Sequence, residues 1–262
     1  MQSILNSPFR RLARLAAHVA ALPVLAGLVF AGDLNARAAG SICPKGSAPP
    51  ILGAAPRLPS GRTLRILAIG SSSTEGVGAS SKDKAYPARL AVLLAERLQP
   101  TEVRNAGIGG EIAAATVRRL ETALVDGWPQ LVLWQVGTND AMTKVDPARF
   151  RALVVEGVEA ARAAKTPILL IDPQYSVLEA TQPRQAPYAD IVDEVALAEH
   201  VPVVRRYAAM RASALAGELP ALLSQDGLHM NDVGYECVAD ALAQFISGAG
   251  KTTALNSGAA PN

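Results

Sequence analysis

Short apolar runs alternate with longer segments of helical periodicity along most of the chain. The apolar runs, read as strands, cover residues 64–69, 102–106, 131–136, 168–171 and 201–204. Elsewhere apolar side chains recur every three to four positions, which predicts helices. The predicted helices cover residues 86–98, 111–124, 147–164, 187–199 and 231–246. Strands that alternate with helices indicate a parallel sheet covered on both faces. We therefore expect an α/β fold, a three-layer α/β/α sandwich around a central, mainly parallel sheet of five strands.

The amino-terminal segment has the pattern of a secretory signal peptide. Basic residues up to Arg14 are followed by an apolar run over residues 15–30 and by small residues around Ala38. An uncleaved membrane anchor is the alternative, because the run approaches the roughly 20 residues that span a bilayer. Pro23 and Gly27 within the run favour cleavage after Ala38. We expect an exported protein, periplasmic or secreted, with no stable membrane insertion after cleavage.

Two segments of unusual composition flank the predicted domain. Residues 39–62 are rich in proline, glycine and serine, which predicts an irregular leader. Residues 248–262 are small and polar, which predicts a disordered tail. The chain is thus expected to consist of a signal peptide at residues 1–38, the leader, one domain at residues 63–247 and the tail.

Composition and charge exclude nucleic acid as an expected partner. The 262 residues include 25 Lys and Arg against 23 Asp and Glu, for a formal net charge of +2. These charges are evenly spread, whereas nucleic-acid binding needs a concentrated basic surface. Aromatic residues make up 4% of the chain, too few for base-stacking platforms.

The two cysteines, Cys43 and Cys237, lie near the two ends of the predicted mature chain. Export places them where disulfides persist. A disulfide and two unpaired thiols both remain open, because sequence does not establish the short Cα separation that a disulfide needs. With no Cys-x-x-Cys spacing and three histidines, the chain lacks the pattern of a zinc site, so no metal is expected.

Polar, glycine-containing segments follow the first three predicted strands and precede the last helix. They are Gly-Ser-Ser-Ser-Thr-Glu-Gly at residues 70–76, Asn-Ala-Gly-Ile-Gly-Gly at 105–110, Gly-Thr-Asn-Asp at 137–140 and Asp-Gly-Leu-His at 226–229. The carboxyl ends of parallel strands meet at one edge of a sheet, where reactive groups gather. The segments contain what a serine hydrolase needs: a hydroxyl, an imidazole, a carboxylate and donors for an oxyanion.

His229 is the histidine placed to act as a base. His18 falls in the predicted signal peptide, and His200 lies between a helix and the fifth strand, at the opposite edge. The spacing Asp226-x-x-His229 lets the carboxylate accept from one ring nitrogen while the other faces the nucleophile. On its own this spacing is more often a surface capping arrangement before a helix.

In this order, the four segments resemble the sequence blocks of the SGNH hydrolase superfamily, also called GDSL esterases and lipases. Its members carry Gly-Asp-Ser, Asn-x-x-x-x-Gly, Gly-x-Asn-Asp and Asp-x-x-His. The resemblance spans about residues 63–246 and implies a flavodoxin-like fold. It implies that Ser72 is the nucleophile, that His229 is the general base and then acid, and that Asp226 orients His229.

The same resemblance implies an oxyanion hole. Its donors would be the backbone N–H groups of Ser72 and Gly110 and the side-chain amide of Asn139. Each segment also has a simpler interpretation, since glycines occur in strand-to-helix turns and an Asn-Asp pair can cap a helix. The presence of all four blocks favours the catalytic interpretation.

The first block departs from the family pattern at Ser71, where aspartate is usual. No catalytic group is lost, but the neighbour that holds the nucleophile turn is left open, because a hydroxyl is shorter and uncharged. The three consecutive serines also allow Ser71 or Ser73 as the nucleophile. Counting from Gly70 to the Thr-Glu-Gly at residues 74–76 favours Ser72.

These patterns predict an exported serine esterase that forms an acyl-enzyme and needs no cofactor. A small-molecule or glycan ester is the expected partner. Short acyl groups of the acetyl type, on carbohydrates or small alcohols, are favoured because no large apolar insertion is present. Three alternatives stay open: an O-acyltransferase on envelope polysaccharide, a non-catalytic glycan-binding module with the same fold, and a structural envelope protein.

Specificity is expected to come from the long loop at residues 172–186, which has no apolar periodicity and follows the fourth strand. Trp134 on the third strand and Tyr175 in this loop are candidates for lining the substrate pocket. A strand tryptophan is, however, more often part of the core.

Overall fold

A central β-sheet forms the middle layer of the protein. The computed structural model describes residues 43–248. The predicted signal peptide and nearly all of the predicted tail lie outside the described residues. The strands of the sheet are β1 (Ile51–Leu52), β2 (Leu64–Gly70), β3 (Thr101–Gly107), β4 (Leu131–Gln135), β5 (Ile168–Ile171) and β6 (Val203–Val204). Their order is β1-β6-β5-β4-β2-β3, and β2 to β6 are parallel. The predicted parallel sheet is confirmed.

The sheet has six strands, which corrects the prediction of five. β1 lies in the segment expected to be an irregular leader and pairs antiparallel with β6, Ile51 opposite Val204. Two residues between prolines and a glycine carry no alternating pattern that would reveal a strand. β1 forms because the backbone groups along β6 need partners, and Arg205 N–H extends the pairing to the Pro50 carbonyl at 2.9 Å.

Eight helices of the described range surround the sheet or shape its carboxyl edge. They are α1 (Ser72–Glu75), α2 (Tyr86–Arg97), α3 (Ala113–Val125), α4 (Thr138–Thr143), α5 (Pro147–Ala163), α6 (Ala186–Ala198), α7 (Arg206–Leu215) and α8 (Asp232–Ile246). The five predicted helices correspond to α2, α3, α5, α6 and α8, with ends within two residues. α5 begins where its sequence predicts, because the Asp146 carboxylate accepts from Arg149 N–H and proline occupies the first helical position.

Side chains of β2 alternate between two apolar cores, one on each face of the sheet. Leu64 and Ile66 pack with residues of α2 and α8, whereas Leu67 and Ile69 pack with residues of α3, α5 and α6. Successive side chains of a strand point to opposite faces, so this arrangement makes a three-layer sandwich. The predicted α/β/α fold is confirmed.

A disulfide joins Cys43 to Cys237, whose Cα atoms are 5.4 Å apart. Cys237 lies in α8, the helix that begins just after the segment containing His229. Of the two alternatives left open by the sequence, the structure therefore has the paired form. It ties the start of the described chain to the helix behind the candidate histidine.

Removing this disulfide is expected to lower the free energy of unfolding by roughly 2 to 5 kcal/mol, because it closes a loop spanning 194 positions. Urea unfolding of the wild type and of the Cys43→Ser/Cys237→Ser variant measures the difference. A thiol reductant should shift the wild-type midpoint and leave that of the variant in place. Equal midpoints without reductant would contradict the prediction.

Candidate active site

Three polar side chains form a hydrogen-bonded chain at the carboxyl edge of the sheet. His229 Nε2 lies 2.9 Å from Ser72 Oγ, and His229 Nδ1 lies 2.6 Å from Asp226 Oδ2. With the Asp226 carboxylate at Nδ1, the ring proton resides there and Nε2 is left to accept from the serine hydroxyl. The arrangement has the geometry of a nucleophile, a base and a group that orients the base.

Asp226 is held by four hydrogen-bond donors. Its Oδ1 accepts from the Ser224 hydroxyl at 2.8 Å and from the Leu228 and His229 N–H groups at 2.9 Å each. Burial acts to raise the pKa of Asp226, but the hydrogen bonds from His229, Leu228 and Ser224 outweigh it and hold that pKa well below its usual range. Asp226 is therefore ionised at neutral pH, which keeps the imidazole in one orientation.

Two glycines let the segment containing Ser72 pass close to its neighbours. A Cβ atom on Gly70, the last residue of β2, would lie 2.6 Å from Thr74 Oγ1 and 2.7 Å from the Gln135 carbonyl oxygen. A Cβ atom on Gly107, the last residue of β3, would lie 2.0 Å from Glu75 N. Both strand ends therefore require glycine so that α1 packs directly against them.

Gln135 holds the nucleophile turn where the family pattern has an aspartate. The Ser71 N–H and hydroxyl both donate to Gln135 Oε1, at 2.9 and 3.1 Å. Gln135 is the last residue of β4 and is fully buried. The predicted apolar strand at residues 131–136 includes Gln135, so no separate role was expected for it. The signal for it was a glutamine among apolar residues at a strand end, where a polar side chain needs a buried partner.

The three consecutive serines direct their hydroxyls to three different partners. Ser71 contacts Gln135, Ser73 donates to Gln174 Oε1, and Ser72 contacts His229. Ser71 and Ser73 are buried, whereas Ser72 is partly exposed. Among the three candidates for the nucleophile, the structure brings Ser72 to the imidazole.

The candidate oxyanion donors lie on adjoining segments. Gly110 is exposed, and its φ of +80° suits a residue without a side chain. The preceding Gly109 N–H donates to Glu75 Oε2 at 2.7 Å, which ties this loop to α1. The Asn139 amide donates to the Glu111 carbonyl at 2.8 Å and keeps a second hydrogen for another acceptor. Ser72 begins α1, so its N–H lacks a partner within the helix.

Asp140, next to Asn139, fixes the position of this part of the site. Its carboxylate oxygens accept from Ala113 N–H at 3.0 and 3.1 Å, which joins α4 to the start of α3. Burial raises the pKa of Asp140 to about 6, against the opposing effect of hydrogen bonds from Ala113 and nearby backbone. At neutral pH Asp140 is therefore ionised in a buried position, which lowers the free energy of unfolding.

Replacing Asp140 with asparagine is expected to stabilise the protein more at pH 7 than at pH 4. The pKa of an aspartate in an unfolded chain is about 3.9. Stability from the neutral acid is therefore fully present below about pH 4 and is lost as the pH rises through about 6. The loss amounts to roughly 3 kcal/mol. Thermal unfolding of the wild type and Asp140→Asn at both pH values tests this, and an equal Tm difference at both would contradict it.

Neither residue predicted to line the pocket does so. Trp134 is fully buried in the core beneath α5, where a Cβ on Gly157 would lie 2.2 Å from its ring. Tyr175 is 8% exposed and packs edge-on against the Tyr207 ring at 5.4 Å between centroids. Trp134 lies on a strand covered by helices on both faces, and Tyr175, in the loop after β5, is buried against α7, so both rings fill the core.

A cavity of about 60 Å³ is lined by Met142 of α4, by Leu178 and by Leu228, the residue that precedes His229. Leu178 belongs to the loop between β5 and α6, which contains a 3₁₀ turn at Val177–Ala180. Buried Glu179 organises this loop by accepting from the backbone N–H groups of residues 184–186 and from the Tyr207 hydroxyl. The predicted loop at the active edge is thus held by hydrogen bonds to Glu179, a role that the sequence pattern does not indicate.

Within residues 43–248, no group of three or more His, Cys, Asp or Glu side chains could hold a metal ion. No helix in that part of the chain is long and apolar enough to cross a membrane.

Comparison with known proteins places this geometry in context. Residues 47–251 match the model of the Non-GDSL lipase-like family. Esterase TesA of Pseudomonas aeruginosa is 28% identical over 106 residues, which are 40% of this chain and 52% of that protein, so the chain spans about half the length of this curated relative.

Two solved structures illustrate the likeness of fold. A lipase/acylhydrolase from Enterococcus faecalis superposes with a TM-score of 0.62 and 24% identity, covering 73% of this chain and 99% of that one. A mutant of Axe2, an acetyl-xylooligosaccharide esterase from Geobacillus, superposes with a TM-score of 0.61 and 22% identity. The match covers 74% of this chain and 97% of that one. At these identities the comparisons support the fold.

Proposed function

Because the chain belongs to the Non-GDSL lipase-like family, we propose that it is a serine esterase that hydrolyses carboxylic esters through an acyl-enzyme on Ser72. The membership confirms the resemblance to the SGNH hydrolase superfamily, and the description non-GDSL agrees with the Gly-Ser-Ser of the first block. The observation that carries the proposal is the hydrogen-bonded chain from Ser72 Oγ through His229 to Asp226.

Acylation begins with attack of Ser72 Oγ on the ester carbonyl carbon while His229 Nε2 takes the hydroxyl proton. Asp226 stabilises the imidazolium that forms and does not itself take the proton. The tetrahedral intermediate collapses when the bond to the alcohol oxygen breaks and His229 returns the proton to that oxygen. Water then attacks the acyl-enzyme in the same way and releases the acid and free Ser72.

Three donors stabilise the negative charge that develops on the carbonyl oxygen. We assign them to the N–H groups of Ser72 and Gly110 and to the amide hydrogen of Asn139 that does not bond to Glu111. Donors held in place before the reaction act without reorganising, which makes such groups effective in catalysis. The ties from Glu75 to Gly109 and from Asn139 to Glu111 supply that rigidity.

The substrate we propose is a short acyl ester of the acetyl type on a carbohydrate or small alcohol. The cavity beside Leu228 has a volume of about 60 Å³. We assign this cavity, which borders the residue before His229, to the acyl group. Since a water needs about 10 to 15 Å³ by this measure, it accommodates a group of only a few heavy atoms. The likeness to an acetyl-xylooligosaccharide esterase points the same way.

We propose that the protein acts outside the cytoplasm, after export directed by residues 1–38. The disulfide between Cys43 and Cys237 supports this, because such bonds persist in oxidising compartments.

The test compares hydrolysis of p-nitrophenyl acetate, butyrate and octanoate by the purified protein, with Ser72→Ala as the blank. We expect kcat/KM to be highest for acetate and to fall by at least about tenfold to octanoate. Highest activity on octanoate would contradict the short acyl substrate.

Product analysis with and without an added oligosaccharide distinguishes hydrolysis from acyl transfer to a sugar, and dominant transfer would contradict the hydrolase assignment.

A further inference from the structure

A single buried amide, that of Gln174, joins the segment of the candidate nucleophile to the segment of the candidate base. Its Oε1 accepts from the Ser73 hydroxyl, and its Nε2 donates to the Leu228 carbonyl at 2.8 Å. Ser73 follows Ser72 in α1, and Leu228 precedes His229. Gln174 is 0% exposed, so water does not compete for either hydrogen bond.

Gln174 also contacts the third segment of the site. Its backbone N–H points to Thr138 Oγ1 at 3.4 Å, and Thr138 begins α4 immediately before Asn139. Gln174 itself lies three residues beyond β5, at the start of the loop that Glu179 organises. It is thus anchored by its backbone to one segment while its side chain spans the other two.

The side-chain amide of Gln174 fits both partners at once at any pH. Ser73 supplies a donor and Leu228 a carbonyl acceptor, and the amide offers an acceptor and a donor on one rigid plane. A carboxylate of the same shape would set an oxygen against the Leu228 carbonyl oxygen. A protonated carboxyl would restore both bonds, since it carries one acceptor and one donor.

We propose that Gln174 is a positioning residue that sets the separation of Ser72 Oγ and His229 Nε2; this inference rests on the proposed function. Ser72 and His229 are 157 positions apart in sequence and are carried by a short helix and a tight turn. Bridging the residue after one and the residue before the other fixes both turns relative to each other. A misplacement of about 1 Å at such a site costs about 100-fold in rate.

The ionisable groups on the elements that pack against Gln174 are few. They are Asp172, Tyr175, Glu179 and Arg184 on its own segment, Asp140 on α4, Glu75 on α1, Arg206 and Tyr207 at the start of α7, and Asp226 and His229 on the turn. All of them are shared by the wild type and any variant at Gln174. A pH dependence that appears only in the ratio of variant to wild type therefore belongs to the group introduced at this position.

The test measures kcat and KM for p-nitrophenyl acetate, normalised to active sites titrated by the acyl-enzyme burst. Gln174→Leu, which removes both bonds, is expected to lower kcat by about 10- to 100-fold with KM changed by less than about threefold. For Gln174→Glu, the ratio of its kcat to that of the wild type should fall by about tenfold or more from pH 5 to pH 9. The buried carboxyl loses the proton that lets it donate to Leu228 over that range.

Gln130→Leu is the matched control, since Gln130 Oε1 accepts from Arg65 N–H at the opposite end of the sheet, at 2.9 Å. It is expected to lower Tm without changing kcat.

If a Gln174 variant fails to fold, Ser73→Ala removes one bond of the bridge and should lower kcat by a few-fold at unchanged KM. Wild-type kcat in the folded variants, or a flat ratio for Gln174→Glu, would overturn the inference. A wild type with neither turnover nor burst would instead overturn the proposed function.

Discussion

Replacing Ser72 with alanine is expected to lower kcat for p-nitrophenyl acetate by about four to six orders of magnitude while leaving the fold unchanged. The substitution removes the proposed nucleophilic oxygen, and removal of one member of such a triad costs nearly as much as removal of all. In the part of the chain that the structure describes, the Ser72 hydroxyl bonds to His229, whose ring nitrogen is partly exposed, so its loss leaves no fully buried polar group unpaired. Thermal unfolding should therefore match the wild type.

Ser71→Ala and Ser73→Ala are the matched controls, because the three serines are consecutive and differ in what their hydroxyls contact. Each control removes a buried hydrogen bond and is expected to lower Tm, with kcat remaining within about tenfold of the wild type. Loss of turnover confined to Ser73→Ala would contradict the assignment of the nucleophile. Full activity in Ser72→Ala would contradict the mechanism itself.

Replacing His229 with alanine is expected to lower kcat by a similar factor, about four to six orders of magnitude. Within residues 43–248, the hydrogen-bond partner of Ser72 Oγ is His229 Nε2, and the variant loses this acceptor for the hydroxyl proton. Because the two residues act as one unit, the Ser72→Ala/His229→Ala double variant should be no slower than either single variant. Additive losses in the double variant would show that the two side chains act separately.

The pH dependence of wild-type activity follows from His229 and Asp226. Since the pKa of Asp226 is held well below its usual range, Asp226 stays ionised and contributes no titration in the working range. The value of kcat/KM should fall on acidification because protonated His229 cannot accept from Ser72. His200, on the other edge of the sheet with φ +55°, provides the control. His200→Asn, which suits that backbone, should keep the wild-type profile, and a flat profile in the wild type would remove His229 from this role.

The sequence predicted the parts of the fold that have long periodic patterns. The five parallel strands and helices α2, α3, α5, α6 and α8 were located from apolar periodicity, with helix ends within two residues. β1, α1 and α4 have two, four and six residues, too few for any period to emerge. They form because the surrounding chain supplies partners, which a local pattern does not contain. α7 was left unassigned although its 10 residues are long enough.

At the site, sequence order located the residues that the structure brings together, but not the residues that hold them. Ser72, Asp226 and His229 lie in recognisable blocks. Gln135 and Gln174 act through contacts with residues 64 and 101 positions away, and no spacing rule connects such pairs. Aromatic rings on covered strands enter the core, which is why Trp134 is a poor guide to the pocket.

Covalent trapping tests the central claim most directly. The protein is incubated with a serine-reactive phosphonate, residual esterase activity is followed, and the labelled peptide is sequenced by mass spectrometry. The account predicts one label per chain, on Ser72, with loss of activity in proportion to labelling and no labelling of His229→Ala on the same time scale. A label on Ser71 or Ser73, or full inactivation without a label on Ser72, would contradict it.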